Sequence, residues 1–211
     1  MIQKSNLRLK ILIVCWLPLL FLLVDAVFDN LGSNPIRALH IRLGDWALRF
    51  LCITLAITPI QAVTNWRGMS EYRRMFGLFT FVYASLHMLG YLIVDQVLHW
   101  KIIGVDILES SYIWFGIISY FIIFVLAITT PNWSKKVMGK NWKKLHRFIY
   151  LAAIAAVTHY FWQLKGNLAE PFLYSIIVFI LLGFRVLISF KTRHMSKLMI
   201  PKGRKTSKLS D

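Results

Sequence analysis

The chain has 211 residues, of which 57% are hydrophobic and only 16% charged. A soluble domain carries about a quarter charged residues, so this composition, with a mean hydropathy of +0.59, excludes an ordinary water-soluble fold and implies one polytopic membrane domain. The formal net charge of +16 would suggest nucleic acid in a soluble chain, but its placement along the sequence excludes nucleic acid as the leading explanation.

Crossing a bilayer takes about 18–20 apolar residues in a helix. By that measure the sequence predicts an all-α bundle of six transmembrane helices, over 11–28, 47–63, 76–95, 112–129, 148–164 and 171–190. A short cytoplasmic segment, 1–10, precedes this domain, and a basic tail, 191–211, follows it. The first run follows Lys4, Arg8 and Lys10, as a signal peptide would. Its apolar length and the lack of a small-x-small cleavage site predict a retained helix. Pro18 predicts a kink in helix 1; Pro59 either kinks helix 2 or ends it. The loop 30–45 is partly amphipathic and predicts a short surface helix. With the loop 96–111 it forms either a docking platform for an external partner or a pair of plain connectors. Cys15 and Cys52 have no metal-ligand spacing and read as small buried hydrophobes. No internal repeat is visible.

The basic residues sort by side. Nineteen lie in the two terminal segments and the loops after helices 2 and 4; four, Arg37, Arg42, Lys101 and Lys165, lie in the opposite loops. The asymmetry predicts that both termini are cytoplasmic, with the tail near anionic headgroups of the membrane lipid. Trp46, Trp66, Trp100, Trp133, Trp142 and Trp162 fall near span ends, as an aromatic belt does.

Two histidines lie deep inside predicted spans. His87 is about 11 residues into helix 3 and His159 about 11 into helix 5, each roughly 16 Å from the inner end. Two imidazoles at one depth on parallel helices suit the two axial positions of a haem iron. Gly77, Thr80 and Ala84 share a helix face with His87, and Ala152 and Ala156 with His159; small residues there leave room for a porphyrin edge. The plainer alternatives are close helix packing and an interhelical hydrogen bond. His40 and His99 fall in outer loops and His194 in the tail, His40 being the better placed of the three.

His146 is at the inner mouth of helix 5, about 20 Å from His159. That separation suits a second haem. Thirteen residues turn an ideal helix by about 220°, so either the helix starts irregularly or His146 has another role. On helix 3 the corresponding place holds Arg73, beside Arg74, a residue type suited to a propionate or a flavin phosphate. Arg49 and Arg185 lie inside spans, where they either snorkel or pair with propionates.

The segments ALHIRLGDWALRFL at 38–51, LAITPIQ at 55–61, RRMFGLFTFVYASLHMLGY at 73–91 and GKNWKKLHRFIYLAAIAAVTHYFW at 139–162 together resemble the MsrQ (YedZ) family. Its members are ferric-reductase-like transmembrane haem proteins of the bacterial inner membrane. The resemblance implies a b-type haem electron conduit, not itself the catalytic subunit. It draws electrons from the quinone pool or a cytoplasmic flavin reductase and passes them to a periplasmic molybdenum-cofactor enzyme, MsrP, that reduces methionine sulfoxide in oxidised proteins. FMN is associated with the family as well. Carried over by motif, the histidine of SLHMLGY is His87, that of KKLHRFIY is His146 and that of VTHYFW is His159, all three as haem ligands. Ferric reductases proper carry paired histidines on two helices. This chain departs from that pattern at Arg73 and in the spacing of His146 to His159, which leaves one or two haems open. Two other classes stay in view: a stand-alone ferric or quinol-linked reductase, and a non-redox membrane subunit or transporter. No GxGxxG segment or soluble domain is present to house a flavin reductase.

Overall fold

The computed structural model describes residues 2–66, 68–163 and 168–198, and those residues form helices and turns without strands. In chain order they are α1 (Ile2–Val27), α2 (Pro35–Thr64), α3 (Met69–Leu89) with a π-helical turn at Gly90–Asp95, α4 (Trp100–Glu109), α5 (Ser111–Ile128), α6 (Asn132–Met138), α7 (Lys140–Leu145), a 3₁₀ turn at His146–Phe148, α8 (Ile149–Gln163) and α9 (Ala169–Leu198).

Helix α2 starts at Pro35 rather than at residue 47, because two start signals coincide there. The Asn34 side chain accepts from the Arg37 N–H at 3.0 Å, and Pro35 occupies the first turn, where no backbone donor is needed. The predicted surface helix is thus the first three turns of α2. The helix runs through Pro59 and ends where Asn65 turns left-handed, with φ of 54°. At the other end of the chain, α9 continues to Leu198 rather than stopping at residue 190. No glycine or proline interrupts 184–198, and Lys and Arg are good helix formers. The remainder of the expected tail, 199–211, lies outside the described residues, as do Arg67 and Lys165.

Five helices, α1, α2, α3 with its π turn, α5 and α9, are long and apolar enough to cross a membrane. The helix predicted as the fifth span is shorter. Fifteen residues of α8 rise about 22 Å, and the preceding 3₁₀ turn adds about 6 Å, close to the ~30 Å of a hydrocarbon core. Large apolar side chains on the outer faces of α1 and α9, such as Phe21, Phe179 and Leu187, are more than half exposed, a surface that lipid covers.

Helix α2 is the centre of the bundle. One face closes a core with α1 and α3 around Cys15, Leu43, Phe50, Phe79 and Tyr83. The other closes a core with α8 and α9 around Leu48, Leu51, Leu55, Ala153, Val157 and Val178. Both cysteines are free and buried. Contacts fix the directions. α2 and α3 run antiparallel, since Gly44 meets His87 and Thr58 meets Arg73. α5 and α8 do the same, since Tyr112 meets His159 and Ser119 meets Ala152. α2 and α9 run parallel, with Arg49 on Tyr174 and Thr58 on Arg185. Small residues close these pairs: Ala152 and Ala153 are fully buried, and Gly77 faces the Thr54 methyl. They serve helix contact rather than leaving an open slot, as expected where close approach is the main source of attraction between helices in lipid.

Candidate functional site

His87 is held from α2. Its Nδ1 lies 3.0 Å from the His40 carbonyl oxygen, and its ring rests on Gly44, where a Cβ would come within 3.1 Å of Cε1. His159 is held from α5 in the same way. Its Nδ1 lies 2.8 Å from the Tyr112 carbonyl oxygen, and a Cβ on Gly116 would come within 2.9 Å of its ring. A carbonyl only accepts, so each Nδ1 carries the proton and each Nε2 presents a lone pair. This is the arrangement of ligating histidines, whose second nitrogen donates to a carbonyl and thereby fixes tautomer and ring direction.

The two rings meet across the bundle with centres 6.3 Å apart and planes at 80°. Imidazoles on opposite sides of one metal ion have centres about 6.4 Å apart, given metal–nitrogen bonds of about 2.0–2.1 Å. Neither residue is fully buried. Among the described residues there is no group of three or more His, Cys, Asp or Glu able to hold a bare metal ion. A pair of imidazoles suffices for haem, because the porphyrin supplies the other four nitrogens.

His40 is on α2, not in a loop, and its ring lies against that of His87 with centres 4.2 Å apart and planes tilted by 34°. Its buried Nδ1 has no hydrogen-bond partner among the described residues. The π turn that follows α3 puts Gly90 against that nitrogen; such turns occur often beside functional residues. The clue in the sequence was the helix start at Asn34-Pro35, which carries residue 40 onto α2.

At the end of α2 that holds Thr58, two guanidinium groups converge. Arg73 Nη1 and Arg185 Nη2 donate to the single Thr58 hydroxyl oxygen, at 3.1 and 2.7 Å, so the two nitrogens are no more than 5.8 Å apart, the sum of those bonds. Arg185 also donates to the Tyr150 hydroxyl at 2.5 Å and to the Leu55 carbonyl at 3.2 Å. Its Nε is buried with no partner among the described residues. Among the described residues no carboxylate pairs with either cation. Two unit charges about 6 Å apart at an effective dielectric near 20 repel by about 3 kcal/mol. An anion between them removes that cost, so the residues fit an acidic group of a bound cofactor. Arg185 therefore points inward, where parallel packing of α9 on α2 directs it.

His146 stands apart. Its Nε2 is 3.2 Å from the Thr129 hydroxyl, and its ring stacks on Trp142 at 3.9 Å. Trp142 Nε1 donates to the Thr129 carbonyl at 2.8 Å, a local role that belt placement did not reveal. The irregular start of the helix is the 3₁₀ turn at His146–Phe148. Three residues at about 120° each bring the His146–His159 rotation from about 220° to about 280°, nearer to one face. Arg74 donates to Asn132 at 3.2 Å on the exposed surface. Arg49 is bound to Tyr174 at 2.9 Å, lies 3.9 Å from Asp45 and sits over Trp46; these contacts do not bring it to the histidine pair.

Comparison with known proteins adds the context of this geometry. Residues 43–157 match the family described as ferric reductase like transmembrane component. A protein from Polaromonas naphthalenivorans named protein-methionine-sulfoxide reductase heme-binding subunit MsrQ is 41% identical over 83% of this chain and 82% of its own. Proteins of the same name from Rhodospirillum rubrum and Xanthomonas euvesicatoria pv. vesicatoria are 36% identical over 90% of this chain and 92% of theirs, and 42% identical over 75% and 72%. No solved structure matches.

Proposed function

This chain belongs to the MsrQ family of ferric-reductase-like transmembrane proteins, and we propose that it is a haem-binding electron-transfer subunit of the bacterial inner membrane. In this reading α8 is the fifth of six spans and both termini are cytoplasmic. Haem b bound between His87 and His159 supplies a one-electron iron couple inside the bilayer. The observation that carries the proposal is the pair of Nδ1-anchored imidazoles with centres 6.3 Å apart.

The chain's own residues divide the remaining work. The carbonyls of His40 and Tyr112 orient the two rings. Arg73 and Arg185 hold acidic groups, propionate carboxylates or a flavin phosphate such as that of FMN, at the inner half. His146 and Arg74 flank that entrance, where an inner second haem is the further possibility. The basic inner segment 135–147 attracts an acidic donor, a cytoplasmic flavin reductase, while quinol reaches the bundle from the lipid. The acceptor is a periplasmic, MsrP-like molybdoenzyme acting on methionine sulfoxide, docked on the outer surface around α4. Arg49, fixed at the outer rim, belongs to that end rather than to the haem.

The test is a visible spectrum of the detergent-purified protein, followed by electron delivery to a purified MsrP-like enzyme. The proposal expects a sharp Soret band that shifts on dithionite reduction, then reoxidation on adding the enzyme. A folded but colourless protein overturns it. Reoxidation by ferric chelates alone replaces the acceptor with that of a stand-alone reductase.

A further inference from the structure

The two histidines are held by two copies of one device. The hydrogen bond from His87 Nδ1 to the His40 carbonyl spans 47 residues, and so does the one from His159 Nδ1 to the Tyr112 carbonyl. Gly44 supports His87 and Gly116 supports His159, again at one common spacing, 43 residues. The residue that offers the carbonyl also offers a ring to the same histidine: His40 at 4.2 Å and Tyr112 at 5.8 Å. Each antiparallel hairpin, α2–α3 and α5–α8, thus carries a carbonyl-and-ring residue at one position, glycine one turn on, and histidine on the facing helix. The match extends to the inner end, where each hairpin sets a threonine hydroxyl against a basic residue, Thr58 with Arg73 and Thr129 with His146. There the spacings differ, 15 and 17 residues, and the 3₁₀ turn of the second hairpin lies at the difference.

We propose that α2–α3 and α5–α8 form a twofold-repeated ligand-holding unit, in which Gly44 with the His40 carbonyl and Gly116 with the Tyr112 carbonyl are matched positioning residues for His87 and His159. This rests on the reading of those histidines as haem ligands. The physical reason is common to both. Without a Cβ at the glycine, the imidazole lies against the opposing helix backbone, within reach of a carbonyl one turn away. That bond keeps the proton on Nδ1 and leaves Nε2 as the donor atom on both sides. An added methyl at 3.1 or 2.9 Å pushes the ring off its carbonyl, and the obstacle is the ring itself rather than a flexible chain end. The repeat is hidden in the sequence because one of its elements is a backbone atom and its side chains differ, His40 against Tyr112.

The experiment compares Gly44→Ala, Gly116→Ala and the control Gly183→Ala, whose added Cβ meets nothing within 4 Å. Haem retention, the low-spin ferric resonance signal and the midpoint potential are read on each. Outer-sphere support of a metal-ligating histidine is worth about 10–100-fold in affinity. Both positioning variants should therefore lose haem by that factor and shift resonance and potential in the same direction, upward for the potential, because a weaker imidazole donor stabilises the ferric state less. Gly183→Ala should match the wild type. Independently of any variant, nitrogen-15 histidine NMR of the reduced, haem-loaded wild type should show protonated Nδ1 at both ligand histidines. A haem-loaded wild type with unmoved glycine variants, or with an unprotonated Nδ1, overturns this inference alone. A colourless wild type overturns it together with the haem reading.

Discussion

Tyr83→Phe should destabilise the protein far more than loss of one hydroxyl from a surface would. Tyr83 is 1% exposed. Its hydroxyl donates to the Cys15 carbonyl at 2.9 Å and accepts from the Leu19 N–H at 3.1 Å. Those two backbone groups are four apart and flank Pro18, so they are the pair that an undisturbed helix would join directly. The hydroxyl is inserted into the α1 ladder where proline opens it. Phenylalanine leaves one buried donor and one buried acceptor unpaired, each costing about 1–3 kcal/mol, and no water is available in hydrocarbon to replace the partner. Partial re-closure of the Cys15–Leu19 bond recovers some of this, for a net loss of about 2–4 kcal/mol. A chain of this size changes Tm by roughly 2–4 °C per kcal/mol, so thermal melting in detergent should fall by roughly 4–16 °C. A variant that melts with the wild type would refute the inserted-hydroxyl account.

Three further changes test other parts of the molecule. Thr58→Val removes the acceptor shared by Arg73 and Arg185 and should cost about 1–3 kcal/mol in chemical unfolding in detergent; an unchanged midpoint would mean that the two cations are not held there. Asp25→Asn breaks the ion pair to Arg42, but its side chains are 32% and 43% exposed, so melting should move by the equivalent of about 0–1 kcal/mol only; a larger drop would place that pair in the core. His146→Ala should leave the His87–His159 haem spectrum in place while freeing Trp142 from its stack, read by tryptophan emission. Loss of the whole Soret band in that variant would contradict the placement of His146 away from the His87–His159 pair.

What the sequence revealed and what it hid follow from the same physics. Hydropathy runs located the long helices, and counting residues into them put His87 and His159 at one depth; the structure then places their rings together. Backbone counting also showed that thirteen residues could not align His146 with His159 in an ideal helix, and the 3₁₀ turn is where the chain departs from ideality. Partner choice was not readable. Arg185 read more readily as a snorkelling residue than as a propionate partner, because only the parallel contact of α9 with α2 aims it at Thr58. His40 was assigned to a loop, since Pro35 and Asn34 start α2 well before its apolar run begins. The small residues on α3 and α8 suggested room for a cofactor edge, yet Ala152 and Gly77 are taken up by helix contact. The hairpin repeat rests on carbonyl oxygens and glycines, which carry no hydropathy signal.

The proposed electron transfer depends on one pair of imidazoles sharing one iron. The direct test is electron paramagnetic resonance of the oxidised, purified protein, with His87→Ala and His159→Ala beside it. Two histidines with planes at 80° predict a strongly anisotropic low-spin ferric signal that both variants abolish. A haem signal of wild-type shape and intensity in both variants would contradict the clamp.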